Sequence, residues 1–487
     1  MLTSHWAVRV GRSTAFSIAA EVLARAANTV FFILLARYIG EAEAGRYSLG
    51  FVFSALLLPF ALGGFDQLLI RESARDHALA PRLLGNLLIV RAAGLLLCYL
   101  GLLGWLVVDR GYDAQTRLVV AILAATCVPE GLIDLYQGYL FAFERAGYIT
   151  LIGAVTGGLK LAAGLIALAL GSGAVGAAIV VLITSIASLI LHGAVVAQRI
   201  GAPRWKLEWS LLLRYLGPAA SFCLIAIFMT LDGLQDTLLL SRNYGPITVG
   251  VYAAATNMLS ILSILPQGLR QAILPVMTKM YMQGPDSAVR LVGQSLRIVL
   301  VVALLIALSA TLMSEYVLNL LYHGRFAAAT PVLIILVWAF VFTCCAIPSA
   351  RLIVVVGRQS VFLPATFISM LLNLGLNLFL QPRIGVQGAA LARLASAVLL
   401  CLFGMVYVQR HIQHWPIGSV VRGPLAAVAA ALLCAVALQM AQAPILAVLG
   451  VCWLVYGAGL WGLRVFNHED LGRLRQFVRR RAAVDIP

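Results

Sequence analysis

The sequence predicts an all-α polytopic membrane protein: fourteen transmembrane helices, built as two parallel-repeat six-helix lobes around a central cavity, with two extra C-terminal helices. Three observations carry this. The 487 residues are 62% hydrophobic and only 11% charged, where a soluble domain carries about 25% charged residues. So little polar surface would not cover a soluble core of this size. The apolar residues fall in runs of about 20 or more, the length a helix needs to cross ~30 Å of hydrocarbon, and a helix satisfies its own backbone within such a run. The third observation is a repeat. Residues 34–47 read LLARYIGEAEAGRY and residues 239–252 read LLSRNYGPITVGVY, an offset of 205 that puts Arg37 on Arg242, Gly40 on Gly245, Gly45 on Gly250 and Tyr47 on Tyr252. A second echo, GAVGAA at 173–178 and GVQGAA at 385–390, has an offset of 212.

In chain order the spans are 13–37, 44–70, 84–108, 117–143, 148–171, 174–198, 213–241, 248–275, 292–315, 330–356, 360–382, 386–409, 423–442 and 444–465. The repeated motif joins span 1 to span 2 and span 7 to span 8. In each copy glycines let the chain reverse. The Arg is expected to snorkel to the headgroups, and the Tyr to sit at the interface as the next helix enters. Spans 1 and 7 are repeat mates six spans apart. An even number keeps the orientation, so the halves are related by an axis along the membrane normal. The predicted domains are 1–205 and 206–415 for the two lobes, 416–466 for spans 13 and 14, and 467–487 for a basic tail. No loop is long enough for a soluble domain. Pro59, Pro129, Pro266, Pro275 and Pro348 lie within spans and mark expected kinks. The eight cysteines fall inside apolar runs, with neither a disulfide framework nor metal-ligand spacing. No small-residue cleavage site follows Arg9 and Arg12, so the first span is expected to stay as an anchor.

The net charge of +16 sits in short loops between spans, which argues against nucleic acid as a partner and for a topological role. With the N-terminus inside, cytoplasmic segments hold 23 Lys and Arg, outer segments hold 7, and five lie within spans. That asymmetry follows the positive-inside rule and puts both termini in the cytoplasm. In the tail, Leu471, Leu474, Phe477 and Val478 share a helical face beside Arg473, Arg475, Arg479, Arg480 and Arg481. An interfacial helix on anionic membrane lipid fits this pattern, as does a disordered basic end.

Charges inside the spans are the candidate functional groups: Arg25, Arg91, Lys160, Arg270 and Arg393 against Glu21, Glu130, Asp134, Asp232 and Asp236. Facing lipid, the ten would cost roughly 25–35 kcal/mol at about 2.5–3.5 each, so most must face protein or water. Ser17, Glu21, Arg25 and Asn28 follow one face of span 1. Thr256, Ser260, Ser263, Gln267 and Arg270 make a polar stripe on span 8, and Asp232–Asp236, Glu130–Asp134 and Asn373–Asn377 are each one turn apart. A hydrated cavity between the halves is the simplest geometry for these faces. Each group also has a plainer reading. Glu21 and Arg25 can neutralise each other along one helix. Arg91 and Arg270 can snorkel, and the Asn pair can bond neighbouring helices. Asp232 and Asp236 either bind a proton or cation, since close carboxylates resist joint ionisation, or pair with Arg25.

The runs ILLARYIGEAEAGRYSLGFVF (33–53), RESAR (71–75), LYHGRFAAATPVLIIL (321–336) and GVQGAALARLASAVL (385–399) give a family resemblance. In their order and spacing, over nearly the whole chain, the sequence resembles the polysaccharide transporter (O-antigen flippase-like) branch of the multidrug/oligosaccharidyl-lipid/polysaccharide exporter superfamily. The resemblance implies a two-lobed helix bundle in a bacterial inner membrane. Its central cavity would pass an isoprenoid-diphosphate-linked oligosaccharide to the outer leaflet, for O-antigen or exopolysaccharide export. It carries no catalytic motif, so a transporter and not an enzyme is expected. A diphosphate needs cations in a low-dielectric cavity, and Arg suits it best. Arg25 and Arg270 are the first candidates for that contact, with Lys160 and Arg91 behind them. Glu21, Asp232, Asp236, Glu130 and Asp134 are candidates for ion coupling or charge balance. No cofactor is implied. A proton or sodium gradient is the candidate driving force, and a polysaccharide polymerase or chain-length protein is a candidate partner. Two rivals stand beside this reading. A drug or small-cation exporter of the same superfamily would have twelve spans and an acid-dominated pocket. A membrane glycan polymerase or acyltransferase would need reactive groups at one face, where only Glu315 and His323 offer themselves.

Overall fold

The computed structural model of the chain describes the backbone of residues 2–61, 65–415 and 417–465. Side chains are described over the same residues except 2–25, 66, 67, 74, 211, 212, 214, 216–222, 225, 271, 272, 275 and 359. The side chains of Glu21 and Arg25, and the tail from 467, therefore lie outside the described residues.

All regular structure among the described residues is helical. Helix α1 spans Leu2–Leu57 but breaks at Gly40, whose φ of 83° and ψ of −178° interrupt the helix. After a 3₁₀ turn carrying Pro59 come α2 (Phe65–Arg75), α3 (Ala80–Val108), α4 (Ala114–Ala124), α5 (Cys127–Ala142), α6 (Ala146–Ala169) and α7 (Gly173–Arg199). The second half continues with α8 (Trp209–Tyr244), α9 (Pro246–Leu262), α10 (Ile264–Met282), α11 (Pro285–Tyr322), α12 (Ala329–Val355), α13 (Phe362–Ile384) and α14 (Val386–His411). The pair α15 (Ile417–Met440) and α16 (Ile445–Gly462) follows. By length and composition, eleven helices among the described residues can cross a membrane. Their outer faces carry exposed Leu97, Val107, Leu170, Ile190 and Leu454, the surface that lipid requires.

Two expected kinks are breaks between helices. Pro129 and Pro266 each stand third in a helix, α5 and α10, that restarts after a short interruption. Proline withholds the amide that the carbonyl four residues back needs and clashes with it, so the helix ends there.

The repeat has a physical counterpart. Gly245 ends α8 at φ 78°, ψ −172°, matching Gly40, and Gly173 and Gly385 share φ values of 61° and 60°. Left-handed φ favours glycine because it has no Cβ. The two copies also cross each other. A Cβ on Gly45 would fall 1.8 Å from the Pro246 carbonyl oxygen, and one on Gly250 would fall 2.1 Å from the Glu41 carbonyl oxygen. Glu41 and Pro246 are themselves 205 residues apart, so the contact is reciprocal, as a two-fold relation demands.

Contacts group the chain into two compact units, one of 1–265, 318–336 and 362–396, the other of 266–317, 337–361 and 397–487. In the first, α1 packs on α4, α6, α7 and α9, α5 on α2 and α3, and α8 on α9 and α13. The segment linking the sequence halves is strapped to the start of α3. Arg82 holds Glu208 (Nε–Oε1 3.2 Å), and Asn86 Oδ1 accepts the Glu208 amide at 2.6 Å. The Arg82 hydrogen bond keeps the Glu208 carboxyl below its ordinary pKa. In the second unit α15 packs on α16, where a Cβ on Gly459 would lie 3.0 Å from that of Ala427. Helix α16 is tied to α11 by Trp453 Nε1 donating to Ser309 Oγ (2.9 Å) and Tyr456 Oη donating to the Val301 carbonyl (3.0 Å).

Candidate functional site

Four helices of the first half, α1, α5, α6 and α7, enclose a cavity of about 360 Å³. Its charged groups are Glu130 and Asp134, one turn apart on α5, and Lys160 on α6. Both carboxylate residues are exposed to it. Lys160 Nζ donates to Asn28 Oδ1 at 2.6 Å and lies 5.4 and 5.5 Å from the ring centres of Phe31 and Phe51, where each ring face attracts the ammonium. A second cavity of about 280 Å³ shares Asn28, Phe51 and Lys160 and reaches Thr256 and Asn257 of α9. Lys160 therefore borders both.

Arg91 of α3 stands behind this cavity. Its Nη2 lies 3.1 Å from Asp134 Oδ2, and its side chain is 4% exposed against 47% for Asp134. Arg91 Nε and Nη1 have no hydrogen-bond partner. The snorkelling reading of Arg91 fails: it is buried because Gly131 gives it room, a Cβ there falling 3.2 Å from Arg91 Nε. Within the cavity wall two carboxylates face one ammonium, so the wall does not favour an anion. The α7 hydroxyls along it satisfy their own helix, Thr184 donating to the Val180 carbonyl at 2.8 Å and Ser185 to Leu182 at 2.9 Å.

Asp232 and Asp236 pair with Arg393 of α14, which sequence reasoning had only counted among the in-span cations. Arg393 donates to Asp236 Oδ2 from Nε (2.9 Å) and Nη2 (2.6 Å), and to Asp232 Oδ2 from Nη1 (3.0 Å). Asp236 is 1% exposed and also accepts from Tyr252 Oη (3.0 Å) and Asn377 Nδ2 (2.7 Å). The Asn pair bonds helices: Gln235 Nε2 donates to Asn373 Oδ1 (2.6 Å), Asn377 Nδ2 to the same oxygen (2.8 Å), and Asn373 Nδ2 to Ser396 Oγ (3.3 Å). The signal for Arg393 was present. Of the two in-span cations in the second half, it is the one deep in its span.

The interface reading of Tyr47 and Tyr252 is corrected. They are 3% and 4% exposed, because each turns inward at the glycine crossing. Arg242, in the last turn of α8, keeps its side chain 53% exposed. Its Nη1 pairs with Asp109 at 2.9 Å, with Tyr112 Oη and Ser241 Oγ 2.8 Å apart beside it. Arg46 pairs with Asp113 at 2.9 Å and with Glu43. Burial alone would raise the Asp113 carboxyl, but the Thr116 hydroxyl and Arg46 outweigh it and hold it below its ordinary pKa.

Arg270 is exposed on α10, with the Arg351 guanidinium of α12 as a like-charged neighbour. Among the described residues no three His, Cys, Asp or Glu side chains are grouped to hold a metal.

The geometry can be set beside known proteins. A family described as polysaccharide biosynthesis protein matches residues 10–281, and one described as MatE matches residues 221–379. No curated protein matches the chain. Among solved structures, the lipid II flippase MurJ in an inward closed conformation is similar at 14% identity and a TM-score of 0.75, over 93% of this chain and 99% of that one. An inward-facing multidrug resistance MATE family transporter is similar at 16% and 0.65, over 82% and 94%. A MOP superfamily transporter from Pyrococcus furiosus, whose binding pocket has reversed polarity, is similar at 15% and 0.61, over 83% and 95%. At such identities these structures establish the fold alone. The profile match covers more than half the chain and agrees with the motif resemblance: this multi-pass membrane protein belongs to the polysaccharide biosynthesis protein family.

Proposed function

We propose that the chain is a flippase that moves an isoprenoid-diphosphate-linked oligosaccharide from the cytoplasmic to the outer leaflet of a bacterial inner membrane by alternating access. The observation that carries this is extent. The fold of the lipid II flippase accounts for 93% of the chain, that of the MATE transporter for 82%. The difference of about one tenth is the length of the α15–α16 pair. Counting the two limbs of α1 and helix α8 with the eleven apolar helices gives fourteen spans in this reading: lobes 1–205 and 206–415, the extra pair in 416–466, and both termini in the cytoplasm.

Arg270, whose neighbour Arg351 supplies a second cation, is the first candidate contact for the substrate's diphosphate, and Arg25 is a candidate in its own right. Lys160 and Arg91 are held by Asn28 and Asp134, so they serve less as phosphate ligands than as counter-charges to Glu130 and Asp134. Those two carboxylates are the coupling groups for a proton or sodium gradient. Asp232 and Asp236 balance Arg393.

Arg270→Ala or Arg25→Ala, in a strain lacking the chromosomal copy, is expected to abolish surface polysaccharide while the protein stays in the membrane. Normal export by both variants removes the cationic contact from the mechanism. The acid-lined cavity and the MatE match favour a second reading, a small-cation exporter. In that case deletion would raise drug susceptibility and leave surface polysaccharide intact.

A further inference from the structure

The segment between α7 and α8 is fixed in its backbone and bare in its side chains. Residues 199–209 read RIGAPRWKLEW. The segment leaves the last turn of α7 and crosses the first turns of α3, and both helices are long and apolar enough to span a membrane. The Arg204 amide donates to the Pro81 carbonyl at 3.0 Å. The crossing is so close that a Cβ on Gly85 would fall 2.0 Å from the Arg204 carbonyl oxygen. Pro203 is buried, and Glu208 is held by Arg82 and Asn86. Between these two anchorages the Lys206 amide donates to the Arg204 carbonyl at 2.8 Å. That bond closes a three-residue turn with Trp205 at its apex.

The apex faces outward. Trp205 is 65% exposed and Trp209 63%, with Leu207 at 39% and Leu213, one turn beyond Trp209 on α8, at 66%. Trp is on average a highly buried residue type, and large apolar side chains held in water are unfavourable. A loose loop would fold them back, but this one is held at both ends. Charge selects what covers them. Arg199, Arg204 and Lys206 are all exposed, against one carboxylate, Glu208, which Arg82 already neutralises. Exposed Arg75, in the last turn of α2 just before α3, adds a further cation.

We propose that this strap docks on an anionic phospholipid surface, that of the cytoplasmic leaflet. The two indoles and Leu207 enter the headgroup layer, the depth that suits an amphipathic ring, and the cations lie over lipid phosphates. A strap that starts where one span ends and crosses where another begins already lies at that depth. The Lys and Arg asymmetry puts this end in the cytoplasm, on the side where anionic lipid gathers. The strap joins the two sequence halves, so its hold on the leaflet fixes where α8 enters the bilayer. It shares no residue with the cavity of the first half and does not depend on the flippase reading.

The full chain in lipid nanodiscs tests it. The discs are made of phosphatidylglycerol or phosphatidylcholine, each plain or brominated close to the headgroup. The emission of Trp205 is taken as wild type minus Trp205→Phe, and that of Trp209 as wild type minus Trp209→Phe. Bromine is expected to quench both, about twofold more in phosphatidylglycerol than in phosphatidylcholine. Salt at about 1 M, where charges are screened within ~3 Å, should remove the difference, and so should Arg204→Gln with Lys206→Gln. Arg358→Gln, in the second compact unit, should change nothing. Equal quenching in the two lipids overturns the proposal, as does a lipid preference that survives loss of Arg204 and Lys206. Indoles open to aqueous acrylamide and untouched by bromine in both discs also overturn it, and would leave the strap to a soluble partner.

Discussion

The two sequence halves use their membrane charges in opposite ways at equivalent positions. In the second half, Asp232, Asp236 and Arg393 form a closed, buried ion pair. Offsets of 205 and 212 carry those positions to Ala27, Phe31 and Val181 in the first half. Ala27 and Val181 line the 360 Å³ cavity, so a hole stands where the other half has a guanidinium. The reverse holds for Lys160, which maps onto Leu372. Small apolar residues leave space, and the charges of the first half (Glu130, Asp134, Lys160) gather around it. One scaffold thus yields a sealed seam and an open, titratable pocket. The seam suits a rigid body, and the pocket suits a ligand or ion.

The largest test of this contrast is Arg393→Leu. It leaves two carboxylates facing each other without a cation, and breaking a buried pair costs about 3–5 kcal/mol. Thermal unfolding of the purified protein should register the loss, and the membrane level should fall. Lys160→Leu restores the second half's own residue at a half-buried site. Its stability should change by no more than about 1 kcal/mol, while export drops. If the two variants lose stability equally, the seam and the pocket are not different in kind.

The glycine crossing tests the symmetry behind the comparison. Gly45→Ala and Gly250→Ala each push a methyl group onto a carbonyl oxygen, at 1.8 and 2.1 Å. Overpacking of this sort costs about 1–3 kcal/mol, and the two costs should match. Nothing lies within 4 Å of a Cβ on Gly101 or Gly104, so Ala there should be neutral or stabilising by up to about 1 kcal/mol. Unfolding temperatures of the four variants decide it. A tolerated Gly250→Ala beside a damaging Gly45→Ala would deny the two-fold relation.

Asn377→Leu probes the seam more gently. It takes one donor from Asp236 Oδ1 and one acceptor from Gln381, a cost of about 1–2 kcal/mol. Combined with Arg393→Leu it should add less than the sum, since both serve Asp236. Full additivity would show that the network is not one unit.

Much of this was legible in the chain. Apolar runs of sufficient length gave the helices, because lipid forces each backbone group to pair within its own segment. The doubled Arg-Gly-Gly-Tyr motif gave the repeat, and its glycines meet as mates. The burial of Tyr47 and Tyr252 was not legible, since an aromatic beside a glycine turn suits an interface and a core alike. Nor was the Arg393 partnership, because helical spacing orders residues along one helix but says nothing about which helix faces which. On spacing alone Asp232 and Asp236 therefore had a proton, a cation or Arg25 as partners, and Arg393 was not among them. Glu130 and Asp134 were found as a pair by their spacing. Their opening onto a cavity depends on Ala27, Gly157 and Val181, whose small size carries no signal alone.

The smallest effect concerns the outer ends of the halves. Arg46–Asp113 lies within the first half, whereas Arg242–Asp109 joins the two. Asp113 is about half exposed in its pair, at 48%, so Asp113→Asn should cost no more than about 1 kcal/mol. The pH dependence has a definite sign. The folded carboxyl is held below its ordinary value of 3.8, so its stabilisation is present above that value and fades as pH falls through the folded one. Thermal stability of wild type and Asp113→Asn should differ by a constant amount at neutral and mildly acidic pH, then converge below about pH 4. Convergence near neutrality would mean that Arg46 and Thr116 do not hold the carboxylate.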